Sequence, residues 1–226
     1  QLWQVMAYVR SLSGSGALEK IGLGRLNLAG NSAALVGPTR VLSGELAVNG
    51  SLPGSIVTVG SGATLSGTGP IGGLLAQSGA TVSPGNSIGT LAVNGNVVFQ
   101  GGSTYRAEIT PAASDLINAT DTASLAGTLA VTNLGGTYTI GSSYVLLNAA
   151  GGRTGTFDTA TGLTTFGNQF RAKIVYTPTQ VQLLLGWNLL QPIVGAAAMT
   201  PNQASFVVAY DAAVLGGLNA QPFDAL

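Results

Sequence analysis

The chain has 226 residues, 46% of them hydrophobic and only 7% charged, with eight basic and eight acidic side chains that cancel. An ordinary globular domain is about 25% charged, and here no basic stripe exists to meet phosphates or anionic lipid, so nucleic acid is not an expected partner. Cysteine and histidine are absent, which excludes a disulfide scaffold, thiolate and imidazole metal ligands, and a cysteine nucleophile.

From the N-terminus, residues 1–16 match no repeat and lack the basic region and apolar run of a secretory leader. Both ends read as cuts in a longer protein. The first periodic signal is a pentad, Gly-x-apolar-x-apolar, at Gly24–Leu28, Gly44–Val48, Gly89–Val93 and Gly127–Val131. A period of two with one apolar face predicts short strands buried on one side. Two pentads run on identically as Leu-Ala-Val-Asn-Gly, at 46–50 and 91–95. Asn and Gly are the residues that best tolerate a backbone corner.

A second unit, Ser-Gly-Ala-Thr, occurs at 61–64 and again at 78–81, an offset of 17 residues. That is too short for a two-helix repeat. It suits one coil of two or three short strands, which buries its inward residues only when neighbouring coils stack. Residues 1–96, apart from the unassigned first 16, are therefore expected to form parallel β-helix rungs. Leu46, Val48, Leu65, Val82, Leu91 and Val93 are expected to point inward.

Strand patterns persist over 97–186, at Val97–Phe99, Tyr105–Ile109, Tyr144–Leu147, Ala172–Tyr176 and Val181–Leu185, but the repeats become irregular. Most of the Tyr and Phe residues fall here. A solenoid needs an atypical end unit to close its core and protect its edge, so this stretch reads as an irregular β cap. Residues 187–226 read as a short helical linker. Thr200-Pro-Asn-Gln203 offers an N-cap, a first-turn proline and a capping-box partner. Phe206, Tyr210 and Val214 make one apolar face, and Gly216-Gly217 would end the helix. The most apolar stretch, Leu183–Met199, is interrupted by Asn188, Gln191 and Pro192, a poor pattern for a membrane helix.

These residues together resemble the passenger of bacterial autotransporters (type V secretion). Lys20–Asn31, Gly44–Gly50, Ser61–Gly69 and above all Ser83–Gly95 are similar to that family's passenger-associated strand repeat. Gly102–Tyr105, Gly151–Phe157 and Val181–Leu185 resemble its autochaperone segment, and Thr200–Gln203 resembles the linker before its membrane barrel. The resemblance covers residues 17–215 and implies an all-β, right-handed parallel β-helix. It makes 97–186 an autochaperone-like cap that folds first and templates the rest. The implied partners are the C-terminal outer-membrane barrel of the same precursor, absent from this chain, and like subunits or host surface ligands. The implied location is the bacterial cell surface or outer membrane, or the medium after cleavage. A chain without Cys also suits passage through an oxidising periplasm.

Motifs with chemical meaning have a structural reading beside them. Gly85-Asn-Ser-Ile-Gly89 fits the nucleophile elbow G-x-S-x-G, but an elbow needs a strand-to-helix turn and a histidine base, so a β-helix corner is expected. Gly67-Thr-Gly-Pro-Ile-Gly72 fits G-x-G-x-x-G, yet a strand pattern follows it and Ala92 stands where a dinucleotide site needs an acidic residue. Asp115 and Asp121 could meet in space as oxygen ligands, but surface solvation or a turn is the expectation. Asn118-Ala-Thr120 is a glycosylation sequon, without meaning in a bacterial host. Tyr105, Tyr138, Tyr144, Phe157, Phe166, Phe170 and Tyr176 either line a binding platform or fill the wide end of the core, and the core is the expectation. No catalytic, cofactor-binding or metal residue is assigned, and no cofactor is expected. The function expected is a non-catalytic stalk and folding module. The alternatives are a self-associating or adhesive β-helix, forming filaments or cell-surface contacts, and a polysaccharide-active enzyme with charges clustered on one face.

Overall fold

The structure, a computed structural model, describes residues 7–9, 13–188 and 199–215. The alternating segments become strands with alternate side chains buried, and their exposed main chains pair in parallel from one coil to the next. One eight-stranded sheet stacks Ala7–Val9, Arg25–Leu28, Gly44–Val48, Ala63–Gly67, Thr81–Pro84, Thr104–Ile109, Thr128–Asn133 and Thr159–Thr161. A twelve-stranded sheet covers the rest of each coil in two columns, fused where Leu52–Val59 and Ile71–Ala76 run through both. The first column includes Leu18–Lys20, Thr39–Val41, Val97–Phe99, Ala123–Leu125 and Arg153–Gly155. The second includes Thr90–Val93, Leu116–Ala119 and Ser143–Ala149. This is a parallel β-solenoid, with strands on three sides of the rungs from Gly44 onward.

The core is a stack of equivalent positions. Leu26, Leu46, Leu65, Val82, Tyr105, Leu129 and Ala160 are successive partners across the eight-stranded sheet, which gives rung lengths of 20, 19, 17, 23, 24 and 31 residues. The offset between the two Ser-Gly-Ala-Thr units is one of these rungs, because Thr64 pairs with Thr81. All six residues expected to point inward are fully buried.

Three features go beyond the sequence pattern. Parallel pairing crosses residue 97 without interruption, through Val97 with Leu74 and Thr104 with Thr81, and continues to Thr161. What changes at 97 is rung size. Longer corner loops, such as 110–115 and 134–142, dilute the repeat in the sequence while the ladder continues. The irregular closure is an antiparallel hairpin, Phe170–Tyr176 with Gln180–Trp187, which pairs onto Ser143–Ala149. Second, the four pentads are not equivalent. Three lie in the eight-stranded sheet, whereas Thr90–Val93 lies in the twelve-stranded one. Third, residues 1–16, unassigned from sequence, include a strand, Ala7–Val9, paired with Arg25–Leu28.

Corners need glycine where rungs stack closely. A Cβ on Gly50 would sit 2.0 Å from Gly30 O, and one on Gly69 would sit 1.9 Å from Gly50 O. Any side chain there forces the rungs apart.

The helix Pro201–Leu215 begins as the sequence predicts. Thr200 N–H donates to Gln203 Oε1 at 2.9 Å, and Gln203 N–H to Thr200 Oγ1 at 3.4 Å, a reciprocal capping box. Its buried positions are Val207 and Asp211, while Phe206 is half exposed and stacks on Tyr210. The buried positions therefore differ from the expected apolar face of Phe206 and Tyr210. Val214's side chain and Gly216-Gly217 lie outside the described residues. Among the described residues no helix is long and apolar enough to cross a membrane.

Candidate functional site: a polar seam, a buried carboxylate and an aromatic closure

A seam of polar side chains crosses four rungs on the outside of the eight-stranded sheet. Arg25 and Glu45 are register partners, with Arg25 Nε 3.1 Å from Glu45 Oε1. Ser66 Oγ donates to the same carboxylate oxygen, and Arg25 Nη2 donates to Asn86 Oδ1. Asn86 Nδ2 donates to Asn49 Oδ1 at 2.8 Å, and Asn49 Nδ2 to Asn27 Oδ1 at 2.8 Å. Glu45 is thus engaged from both neighbouring rungs, by a guanidinium on one side and a hydroxyl on the other. The set therefore suits fastening of rungs better than activation of Ser66.

Asn86 belongs to the Gly85–Gly89 segment. Strands Thr81–Pro84 and Thr90–Val93 flank it on both sides, so Ser87 sits on a solenoid corner and not on a strand-to-helix elbow. Gly85 turns that corner with φ +85 and bridges to Gly67. The Gly67–Gly72 motif is likewise a corner, leading into the strand Ile71–Ala76.

Asp115 is the one fully buried acid among the described residues. The loop after Thr104–Ile109 folds back so that Asp115 N–H donates to Glu108 O at 2.8 Å. Its Oδ1 accepts from Gly89 N–H at 2.8 Å, and Oδ2 accepts from Glu108 N–H at 2.9 Å. The carboxyl thus ties the Gly85–Gly89 corner to the next rung. Burial pushes its pKa up from 3.8 to about 6, against the pull of the two amides and with a small push from Glu108. Asp121, its supposed companion, is exposed and takes a hydrogen bond from Thr120 Oγ1 at 3.4 Å. Among the described residues no group of three or more acidic side chains gathers as metal ligands.

The aromatic residues form an interior and not a platform. All seven except Tyr176 are buried. Phe99, Tyr105 and Phe157 pack with centroids 5.5 to 6.1 Å apart, and Tyr138 meets Tyr144, Phe166 and Phe170 edge-on. The polar ends are satisfied: Tyr105 Oη–H donates to Leu146 O at 2.6 Å and Tyr138 Oη–H to Ile109 O at 2.9 Å. Burial, and then the charge of Asp115, holds the Tyr105 phenol well above its ordinary pKa. Arg153 lies over the Tyr176 ring at 4.8 Å, and Phe157 N–H donates to Tyr176 Oη at 3.2 Å, which joins the closing hairpin to the last parallel rung.

Sequence reasoning missed two parts of this arrangement. Lys20 occupies an inward position, paired with Val41, and its Nζ donates to the carbonyls of Ile21, Gly22 and Ser43 at 3.0, 2.6 and 2.9 Å. The signal was available, since Leu18 and Lys20 share one face of a strand. The second is an amide ladder that includes Asn118 of the sequon. Asn148 Nδ2 donates to Asn118 Oδ1 at 2.9 Å, and Gln180 Nε2 to Asn148 Oδ1 at 3.3 Å. No protein-family model matches the chain, and no curated protein matches it.

Proposed function

We propose that this chain is a non-catalytic stalk of a surface-displayed passenger of the autotransporter type, with its C-terminal rungs as the folding nucleus. The observation that carries this reading is the uneven core. The rungs from Leu26 to Val82 are filled by Leu, Val, Ile and Ala, whereas the ring clusters anchor the rungs after Val97. Apolar burial stabilises by roughly 25 cal/mol per Å², so the larger rings give the C-terminal end the stronger local core. The closing hairpin covers one edge there, and rungs that stack on a stable end need no new nucleus.

The test is folding kinetics of the full chain with one truncation at each end. Phe157→Ala should cost about 3–5 kcal/mol and express most of that as slower folding. Leu46→Ala should mainly speed unfolding. The opposite partition, with Leu46→Ala slowing folding and Phe157→Ala leaving it unchanged, would refute a C-terminal nucleus.

A second reading, an adhesive or self-associating surface, draws on Ile21, Leu23, Val36 and Ile56, all at least 59% exposed and all in the first rungs. Concentration-dependent sedimentation that disappears in Leu23→Lys would favour it.

A further inference from the structure

The segment Leu-Ala-Val-Asn-Gly occurs twice, and the fold places the two copies on different sides of the coil. Local sequence is therefore matched while surroundings differ. An Asn followed by Gly is the pair in which a main-chain nitrogen most easily reaches the preceding side-chain amide, because Gly has no Cβ to obstruct the approach.

At the first copy that approach is restrained on both sides. Asn49 Nδ2 donates to Asn27 Oδ1 and its Oδ1 accepts from Asn86 Nδ2, each at 2.8 Å. The nucleophile is also engaged, since Gly50 N–H donates to Leu28 O at 2.8 Å. At the second copy the Asn94 side chain is exposed and has no hydrogen-bond partner among the described residues. Gly95 N–H likewise has none, while Asn94 N–H is held by Ile71 O at 2.8 Å.

We propose that Asn94 is a site of spontaneous deamidation through a succinimide, and that the polar seam protects the identical segment at Asn49. The Gly95 main-chain nitrogen gives up its proton and bonds to Asn94 Cγ. The carboxamide C–N bond breaks, and its nitrogen leaves as ammonia with that proton. Water then opens the ring at either carbonyl, giving aspartate or isoaspartate. Isoaspartate adds a main-chain methylene to the corner between Thr90–Val93 and Val97–Phe99. That corner has no slack, because a Cβ on Gly95 would already lie 2.3 Å from Gly72 O. Modification at Asn94 therefore loosens the contact between two rungs, which makes it a chemical clock for an ageing stalk.

The test is incubation of the intact chain in mildly alkaline buffer, with peptide mapping for isoaspartate and aspartate at 94 and 49 over time. A parallel incubation in denaturant gives the rates set by local sequence, which should agree at the two sites. In the folded chain Asn94 should react roughly a hundredfold faster than Asn49, the factor expected when two to three hydrogen bonds must break first. Asn86→Ala, which removes one restraint on Asn49, should raise the rate at 49 and leave that at 94 unchanged. Equal rates at the two sites in the folded chain would overturn the proposal. So would an Asn94 rate in the folded chain far below its rate in denaturant, or an Asn49 rate unmoved by Asn86→Ala.

Discussion

Replacing Asp115 with Asn should erase a pH dependence that runs opposite to ordinary acid denaturation. Asp115 is fully buried and both carboxylate oxygens accept main-chain amides. No cation stands among the causes of its shift, and burial raises its pKa from 3.8 to about 6. The folded chain therefore binds this proton more tightly than the unfolded chain. Between the two values the folded state carries more protons, so stability falls as pH rises. The advantage of the neutral form is fully present below about pH 4 and lost by about pH 6 to 7. Each tenfold change in proton affinity is worth about 1.4 kcal/mol, so the rise to about 6 bounds the effect at about 3 kcal/mol. Asn cannot ionise, and its NH2 faces an amide donor, which costs about 1–3 kcal/mol at acid pH. Urea midpoints of both chains from about pH 4 to pH 7 give the difference free of the other carboxylates. The gap between wild type and Asp115→Asn should narrow as pH rises. Parallel curves would refute the reasoning, and so would a gap that widens toward neutral pH, which would mean that the two amides outweigh burial.

Two further substitutions probe the packing of the rungs. Gly69→Ala places a Cβ 1.9 Å from Gly50 O, whereas Gly101→Ala meets nothing within 4 Å. The first should lower stability by about 1–3 kcal/mol or more and the second by under about 0.5 kcal/mol, and equal urea midpoints would show that the corners are not close-packed. Lys20→Met keeps the apolar stem but removes the donor to three carbonyls, at a cost of about 1–3 kcal/mol. An unchanged thermal midpoint would mean that water serves those carbonyls as well as the ammonium does.

Period-two alternation is a local property, and it identified the buried faces at Leu46, Val48, Leu65, Val82, Leu91 and Val93 without knowledge of any partner strand. The 17-residue spacing of Ser-Gly-Ala-Thr likewise revealed a rung, because the stacking of equivalent positions forces repeat length to equal coil length. The capping box at Thr200 was legible for the same reason, since its two hydrogen bonds close within four residues. The tertiary structure decided everything that depends on which strand lies alongside which. The pentads Gly89–Val93 and Gly127–Val131 are identical in sequence, but the residues consumed by each corner put them on different sides of the coil. Asp115 and Asp121 look alike in the chain, yet only one is folded under a neighbouring corner, where two amides and burial act on it together. Asn49 and Asn94 differ in the same way, by partners that are 22 to 37 residues distant for one and missing among the described residues for the other. Sequence carries the period of a solenoid because the period is built into the chain, whereas the chemistry of any one side chain is set by the neighbouring rungs.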